Sequence, residues 1–281
     1  MINISLDISR KVDPEHKSAI LHIKKMLDEL GVKFFIVGAS AIDFVLDYLH
    51  GIRAPRRTMD IDFAVRIESW ELYEKIENVL LNAQGFKKSK QKQRFEYGET
   101  IIDIVPFGKV SDDQNLISWP PEHTTVMSVS GFEDAYKYST PIIISKEPFH
   151  QIKVPTIPGM VVMKLLSWND SFPERQKDAQ DLYFLLLQYK YTDIIERLYI
   201  DNKELFESED FNDEIASIRI LGHDMAKICS NRCLNEIIKI LDKETAEDSS
   251  FRLVIHILEQ RYDFEDVLTR LQKLKQGLEE I

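Results

Sequence analysis

Apolar side chains recur at three- and four-residue spacings from Pro14 to Leu30 (Ile20, Leu21, Ile23, Met26, Leu27, Leu30), which predicts an amphipathic helix ended by Gly31. Residues 33–37 (KFFIV) form a compact β-type run. It closes in Gly38-Ala39-Ser40, and residues 41–49 again read as helix, so a strand, a tight small-residue turn and a helix follow one another. From Met59 to Val65 the pattern alternates, placing Asp60 and Asp62 on one face of a strand and Met59, Ile61 and Phe63 on the other. A helix is predicted over 69–83. Strands are predicted over 90–97 and 100–107, joined as a hairpin at Gly98-Glu99, with Asp103 set among Ile101, Ile102, Ile104 and Val105. Residues 109–122 are polar and read as a loop, and strands resume near 126–130, 140–144 and 151–154. After Pro155 the pattern becomes helical, over 158–168, 176–189 and nearly everything that follows. The expected architecture is α+β: a mixed sheet of five to seven strands with flanking helices in residues 1–157, then a helical region over 158–281.

Composition narrows this picture. With 281 residues, 44% of them hydrophobic, the chain has the makings of a folded core, and no apolar run approaches the roughly 20 residues of a membrane helix. The first residues lack the basic stretch, apolar run and cleavage site of a secretory signal, so a cytoplasmic protein with no membrane partner is expected. Cys229 and Cys233 are too few for a disulfide framework, and their spacing suits one helix face, so they read as reduced packing residues. The formal charge of −11 argues against a global attraction to nucleic acid. Most of it lies in the tail, however: residues 182–281 carry 13 Lys and Arg against 21 Asp and Glu. Upstream, Lys87, Lys88, Lys90, Lys92 and Arg94 make a run of cations without an acid. On one strand, four of these (Lys88, Lys90, Lys92 and Arg94) would share a face, either as a strip for an RNA or triphosphate or as lysines guarding a sheet edge.

The chemistry concentrates on three acids in β-type sequence. Asp60 and Asp62 leave the same face of a strand with Cβ atoms roughly 7 Å apart, at a rise of about 3.3 Å per residue. Carboxylates that close repel, and a divalent cation removes the repulsion; hard oxygen ligands of this kind select Mg²⁺. Asp103, on a strand that could lie alongside, would add a third oxygen donor and a base near a second ion. Gly38 and Ser40 precede a helix, where backbone N–H groups and the Ser40 hydroxyl attract phosphate.

The order Gly38-Ala39-Ser40, a helix, then Arg56-Arg57-Thr58-Met59-Asp60-Ile61-Asp62, and later Asp103, resembles the nucleotidyltransferases of the DNA polymerase β-like superfamily. Within it the chain looks most like the AbiEii/AbiGii group, known mainly as toxins of toxin–antitoxin and abortive-infection systems. Met163-Lys164-Leu165 and Arg175-Gln176-Lys177-Asp178-Ala179-Gln180-Asp181 are similar to that group's helix with an inward lysine followed by an acidic helix. The likeness covers about residues 20–190, so that 158–190 would complete the active site. It implies two Mg²⁺ ions on Asp60, Asp62 and Asp103, with Asp103 as a base for the acceptor hydroxyl. It also implies that Gly38 and Ser40 hold the triphosphate, that Arg56 and Thr58 support the Asp strand, that Lys164 serves as a cation for phosphate or base, and that Asp178 orients Lys164 or Lys177. Ala39 stands where many relatives have Gly or Ser.

Each feature has a plainer reading when taken singly: aspartates at a solvated edge, Lys164 as a snorkelling surface lysine, and Asp178 and Asp181 as helix-surface partners of Arg175 and Lys177. Taken together they predict a Mg²⁺-dependent transfer of NMP from an NTP to a hydroxyl acceptor, RNA or protein, in a toxin-like role with an antitoxin protein as partner. The alternatives are a small-molecule (antibiotic) nucleotidyltransferase and a non-catalytic nucleotide-binding module.

Overall fold

Asp13 accepts hydrogen bonds from the backbone N–H groups of Glu15 and His16 and so starts the first helix, α1 (Pro14–Glu29), with proline at its first position. The computed structural model describes residues 6–55, 58–259 and 262–281. These fall into two compact units, divided between Thr156 and Ile157.

In the first unit, β1 (Lys33–Val37) runs directly into α2 (Gly38–Ile42), which continues as π-helical turns over Asp43–Leu49. The small-residue segment is therefore the first turn of the helix. There follow β2 (Asp60–Arg66), α3 (Trp70–Asn82), β3 (Phe86–Lys88), β4 (Arg94–Tyr97) and β5 (Thr100–Phe107). They build one five-stranded sheet in the order β1-β2-β5-β4-β3, in which only the β2–β5 pair is parallel. Ile61, Phe63, Ile102 and Ile104 are fully buried and anchor the two central strands. Burial of four such side chains supplies roughly 1.5–3 kcal/mol each, which fixes the register because a one-residue slip would bury the aspartates.

Four local expectations change. Lys90 and Lys92 do not lie on a strand: residues 89–93 form the turn between β3 and β4, closed by the Ser89 N–H to the Arg94 carbonyl at 3.0 Å. No apolar residue occurs from Lys87 to Arg94, so nothing anchors that stretch to a core face. Inside the expected loop, β6 (Leu116–Ser118) pairs with β7 (Val126–Ser128), because Ile117 and Trp119 are buried, the latter 5.3 Å from the Trp70 ring. A short α4 (Phe132–Lys137) is held by Phe132 and Tyr136 packing on Phe35 and Phe107. Finally β8 (Thr140–Lys146) and β9 (Phe149–Val154) form their own hairpin, so among the described residues the main sheet has five strands and two hairpins stand apart from it.

The second unit is helical: α5 (Ile157–Asp170), α6 (Gln176–Gln188), α7 (Ile194–Ile200), α8 (Lys203–Ser208), α9 (Asp213–Ile228), α10 (Asn231–Thr245), α11 (Arg252–Leu258) and α12 (Phe264–Glu279). Cys229 ends α9 and Cys233 lies in α10, so the two free cysteines do not share one helix. Among the described residues no helix is long and apolar enough to cross a membrane.

Helices α9 and α12 approach so closely that a Cβ on Gly277 would lie 2.0 Å from the Arg219 carbonyl oxygen, and one on Gly222 would lie 2.4 Å from that of Leu274. Gly277→Ala is therefore expected to destabilise the helical unit by about 2 kcal/mol or more, as overpacking against backbone does. Urea unfolding followed by helix circular dichroism checks this; an unchanged midpoint would show that the helices separate freely.

Candidate active site

The sheet register sets the site. Asp62 on β2 is opposite Val37 on β1 and Asp103 on β5, and Asp103 is opposite Arg94 on β4. Register partners share a face, so Asp62, Asp103 and Arg94 form one row across the sheet. The next row on that face runs Asp60, Ile101, Glu96. The pairing that places Arg94 here follows from the two-residue turn at Gly98-Glu99, which sets Tyr97 against Thr100 and, three steps on, Arg94 against Asp103.

Gly38 makes room for the first carboxylate. It has φ +68, and a Cβ there would fall 1.9 Å from Asp62 Oδ2, so both backbone conformation and space exclude a side chain. Ser40 is buried, and its hydroxyl donates to the Asp60 carbonyl, tying the first turn of α2 to the Asp strand. The sequence suggested that this hydroxyl faces phosphate; in the structure it braces the backbone. Thr58 does similar work, its Oγ1 accepting from the Asp60 N–H at 3.1 Å. Arg56 lies outside the described residues.

Asp103 departs from its expected part. Its Oδ1 accepts from Arg94 Nε and its Oδ2 from Arg94 Nη2, both at 2.8 Å, and Arg94 Nη2 stands 3.7 Å from Asp60 Oδ2. Hydrogen bonding to Asp103 raises the Arg94 pKa against the cost of burial, and the charges of Asp103, Asp60 and Asp62 add to the rise, so the guanidinium is permanently charged. Arg94 lies across both Asp103 oxygens, and among the described residues no three Asp, Glu, His or Cys side chains are grouped to hold a metal ion. Asp60 and Asp62 remain a fitting pair. They offer hard oxygens on one face, Asp60 is about one-third exposed (37%), and the missing Gly38 Cβ leaves space at the Asp62 carboxylate. Mg²⁺ characteristically uses one or two carboxylates plus water and substrate phosphate.

The sequence alone does not set Arg94 apart, since it stands in a run with Lys87, Lys88, Lys90 and Lys92. That strip is largely neutralised: Lys88 pairs with Glu77, and Lys92 with Glu122 at 2.9 Å.

In the helical unit, Lys164 on α5 is held by two acids of α6, Asp178 at 2.7 Å and Asp181 at 2.8 Å. Ser167 also donates to Asp178, at 3.0 Å. Lys164 is thus turned into the α5–α6 contact and does not snorkel, and Asp178 is buried, although it does contact Arg175 at 3.4 Å. Burial opposes the charged form of each, but the mutual attraction outweighs it: the Lys164 pKa is raised and that of Asp178 lowered.

A family profile described as "Nucleotidyl transferase AbiEii toxin, Type IV TA system" matches residues 26–214. No curated protein matches significantly. Among solved structures, an antigenic nucleotidyltransferase-like protein from Paracoccidioides brasiliensis is similar at 15% identity over 92% of each chain, with a TM-score of 0.39. The antibiotic-resistance factor ANT(2'')-Ia is similar at 13% identity over 71% of this chain and 99% of its own, with a TM-score of 0.35. The Thermotoga maritima CCA-adding enzyme, solved with tRNA, is similar at 15% identity over 97% of this chain and 83% of its own, with a TM-score of 0.28.

Two outcomes follow from this geometry. Gly38→Ala is expected to cost about 1–3 kcal/mol from the left-handed backbone and to displace the Asp62 carboxylate, measurable by chemical denaturation and by a structure of the variant. Lys164→Met leaves two acids facing each other across α5 and α6 and is expected to cost about 3 kcal/mol at neutral pH. Because the Asp178 pKa is depressed in the folded chain, its contribution is present above the unfolded carboxylate pKa and is lost as pH falls through the lower folded value. The deficit of Lys164→Met relative to the parent should therefore shrink on acidification, and a deficit independent of pH would refute the ion-pair account.

Proposed function

Since the chain belongs to the AbiEii family of nucleotidyl transferases and is an enzyme that transfers nucleotides, we propose that it is Mg²⁺-dependent, that Asp60 and Asp62 hold the metal, and that it moves an NMP from an NTP to a hydroxyl of RNA or protein in a toxin-like role. The observation that supports this best is the pair Asp60 and Asp62 on one sheet face, with Gly38 shaped around the Asp62 carboxylate. Two acids on adjacent same-face positions repel, and a divalent cation held between them would remove that repulsion.

Bound there, Mg²⁺ would neutralise the triphosphate and the departing pyrophosphate. The chain's own part is placement. Ser40 and Thr58 fix the backbone of Asp60, and Gly38 leaves the Asp62 carboxylate its position. In the transfer, the acceptor oxygen bonds to the α-phosphorus, the bond from that phosphorus to the α–β bridging oxygen breaks, and the hydroxyl proton passes to a carboxylate or to water. Positioning and electrostatics carry such reactions, because the nucleotide supplies the leaving group. Lys164, tied to Asp178 and Asp181 within the helical unit, is given no step in the transfer.

RNA and protein are favoured as acceptors, with the toxin description of the family as support and an antitoxin as the corresponding partner. A small-molecule acceptor is the second reading.

Incubation with labelled NTPs, Mg²⁺ and either total RNA or cell lysate is expected to label a macromolecule. Asp60→Ala and Asp62→Ala should each reduce transfer at least about a hundredfold. Equal labelling by the parent and both variants would sink the catalytic assignment, and labelling of added aminoglycosides alone would select the second reading.

A further inference from the structure

Asp60, Asp62, Asp103 and Arg94 lie together on the site face, and their charges divide in one particular way. Asp60 and Asp62 together carry the two negative charges that one divalent cation cancels. Asp103 is already matched by Arg94 through a two-point fork, at 2.8 Å on each oxygen. The geometry of that fork decides which partner holds the other. Asp103 is the more buried, its side chain 11% exposed against 26% for Arg94, so the anion sits inside and the cation stands further out.

A guanidinium has five N–H donors, and Asp103 takes two of them. The remaining three, one on Nη2 and two on Nη1, make no hydrogen bond to any described residue; Asp60 Oδ2, at 3.7 Å, is beyond hydrogen-bond range. A planar cation locked by a buried acid, with free donors beside two metal-type carboxylates, is a preorganised receptor for phosphate oxygens. From this we infer that Arg94 binds the polyphosphate of the nucleotide directly and that Asp103 is its positioning residue instead of a metal ligand. The inference rests on the nucleotidyl-transfer reading and deepens it at the same site.

It separates two properties that a three-acid metal site would join. Metal affinity should depend on Asp60 and Asp62, whereas polyphosphate affinity should depend on Arg94 and, through it, on Asp103. Lysine cannot replace Arg94, because a single ammonium lacks the fork and cannot satisfy both Asp103 oxygens while facing a phosphate.

The test uses the full chain with inorganic triphosphate and Mg²⁺ by calorimetry, and Mn²⁺ alone by electron paramagnetic resonance. Arg94→Ala, Arg94→Lys and Asp103→Asn are each expected to weaken triphosphate binding by about 10- to 100-fold while Mn²⁺ affinity stays within about threefold of the parent. Because Arg94→Ala leaves Asp103 buried and unpaired, the double variant Arg94→Ala/Asp103→Ala removes the pair together; it should bind Mn²⁺ normally and triphosphate weakly. Parental triphosphate affinity in Arg94→Lys or in the double variant overturns the inference. So does loss of Mn²⁺ binding in Asp103→Asn, which would make Asp103 a metal ligand, and so does a parent chain that binds no triphosphate. Failure of the metal reading is distinguishable, since it would appear as unchanged Mn²⁺ affinity in Asp62→Ala.

Discussion

Asp62 and Asp103 are opposite one another on adjacent parallel strands, which holds two carboxylates on one face about 5 Å apart at the backbone. The structure around them answers that repulsion. On one side Gly38, without a Cβ and in a left-handed conformation, yields its space to the Asp62 carboxylate. On the other, Arg94 closes over both oxygens of Asp103. The buried opposite face, with Ile61, Phe63, Ile102 and Ile104, prevents the strands from slipping to relieve the strain of like charges. Apolar burial thus fixes the acids where electrostatics alone would not put them.

The same division of labour explains the small polar residues near the site. Ser40 and Thr58 both bind the backbone of Asp60, from the first turn of α2 and from the segment before β2. A strand end held at two points places its side chain more narrowly than packing would, and Asp60 is more exposed than Asp103. The site is therefore stiff where it is buried and braced where it is open, which suits a reaction driven by positioning.

The helical unit solves a comparable problem by other means. Lys164, Asp178 and Asp181 form a compact ionic group between α5 and α6, one cation between two acids, and burial makes the exchange of any partner costly. The close approach of α9 and α12 at Gly222 and Gly277 shows that this unit also relies on backbone proximity that only glycine allows.

Much of this was legible in the sequence. Alternation of Asp60, Ile61, Asp62 and Phe63 determines a strand with acids on one face, and the spacing from Gly38 to that strand and on to Asp103 carried the resemblance to nucleotidyltransferases that the family match bears out. Such features are local or depend on order along the chain. The partner of Asp103 is different. Composition grouped Arg94 with the lysines around it, and only pairing across the sheet separates it from them, turning Lys90 and Lys92 into a connection and Arg94 into a neighbour of the acids. Likewise the roles of Ser40 and Gly38 changed once the turn met β2, since what a hydroxyl donates to, and what a missing Cβ makes room for, are set by the strand that packs against them. The sequence by itself determined which residues carry charge and on which face of a strand they lie; tertiary structure decided which opposite charges meet, because that depends on register between segments far apart in the chain.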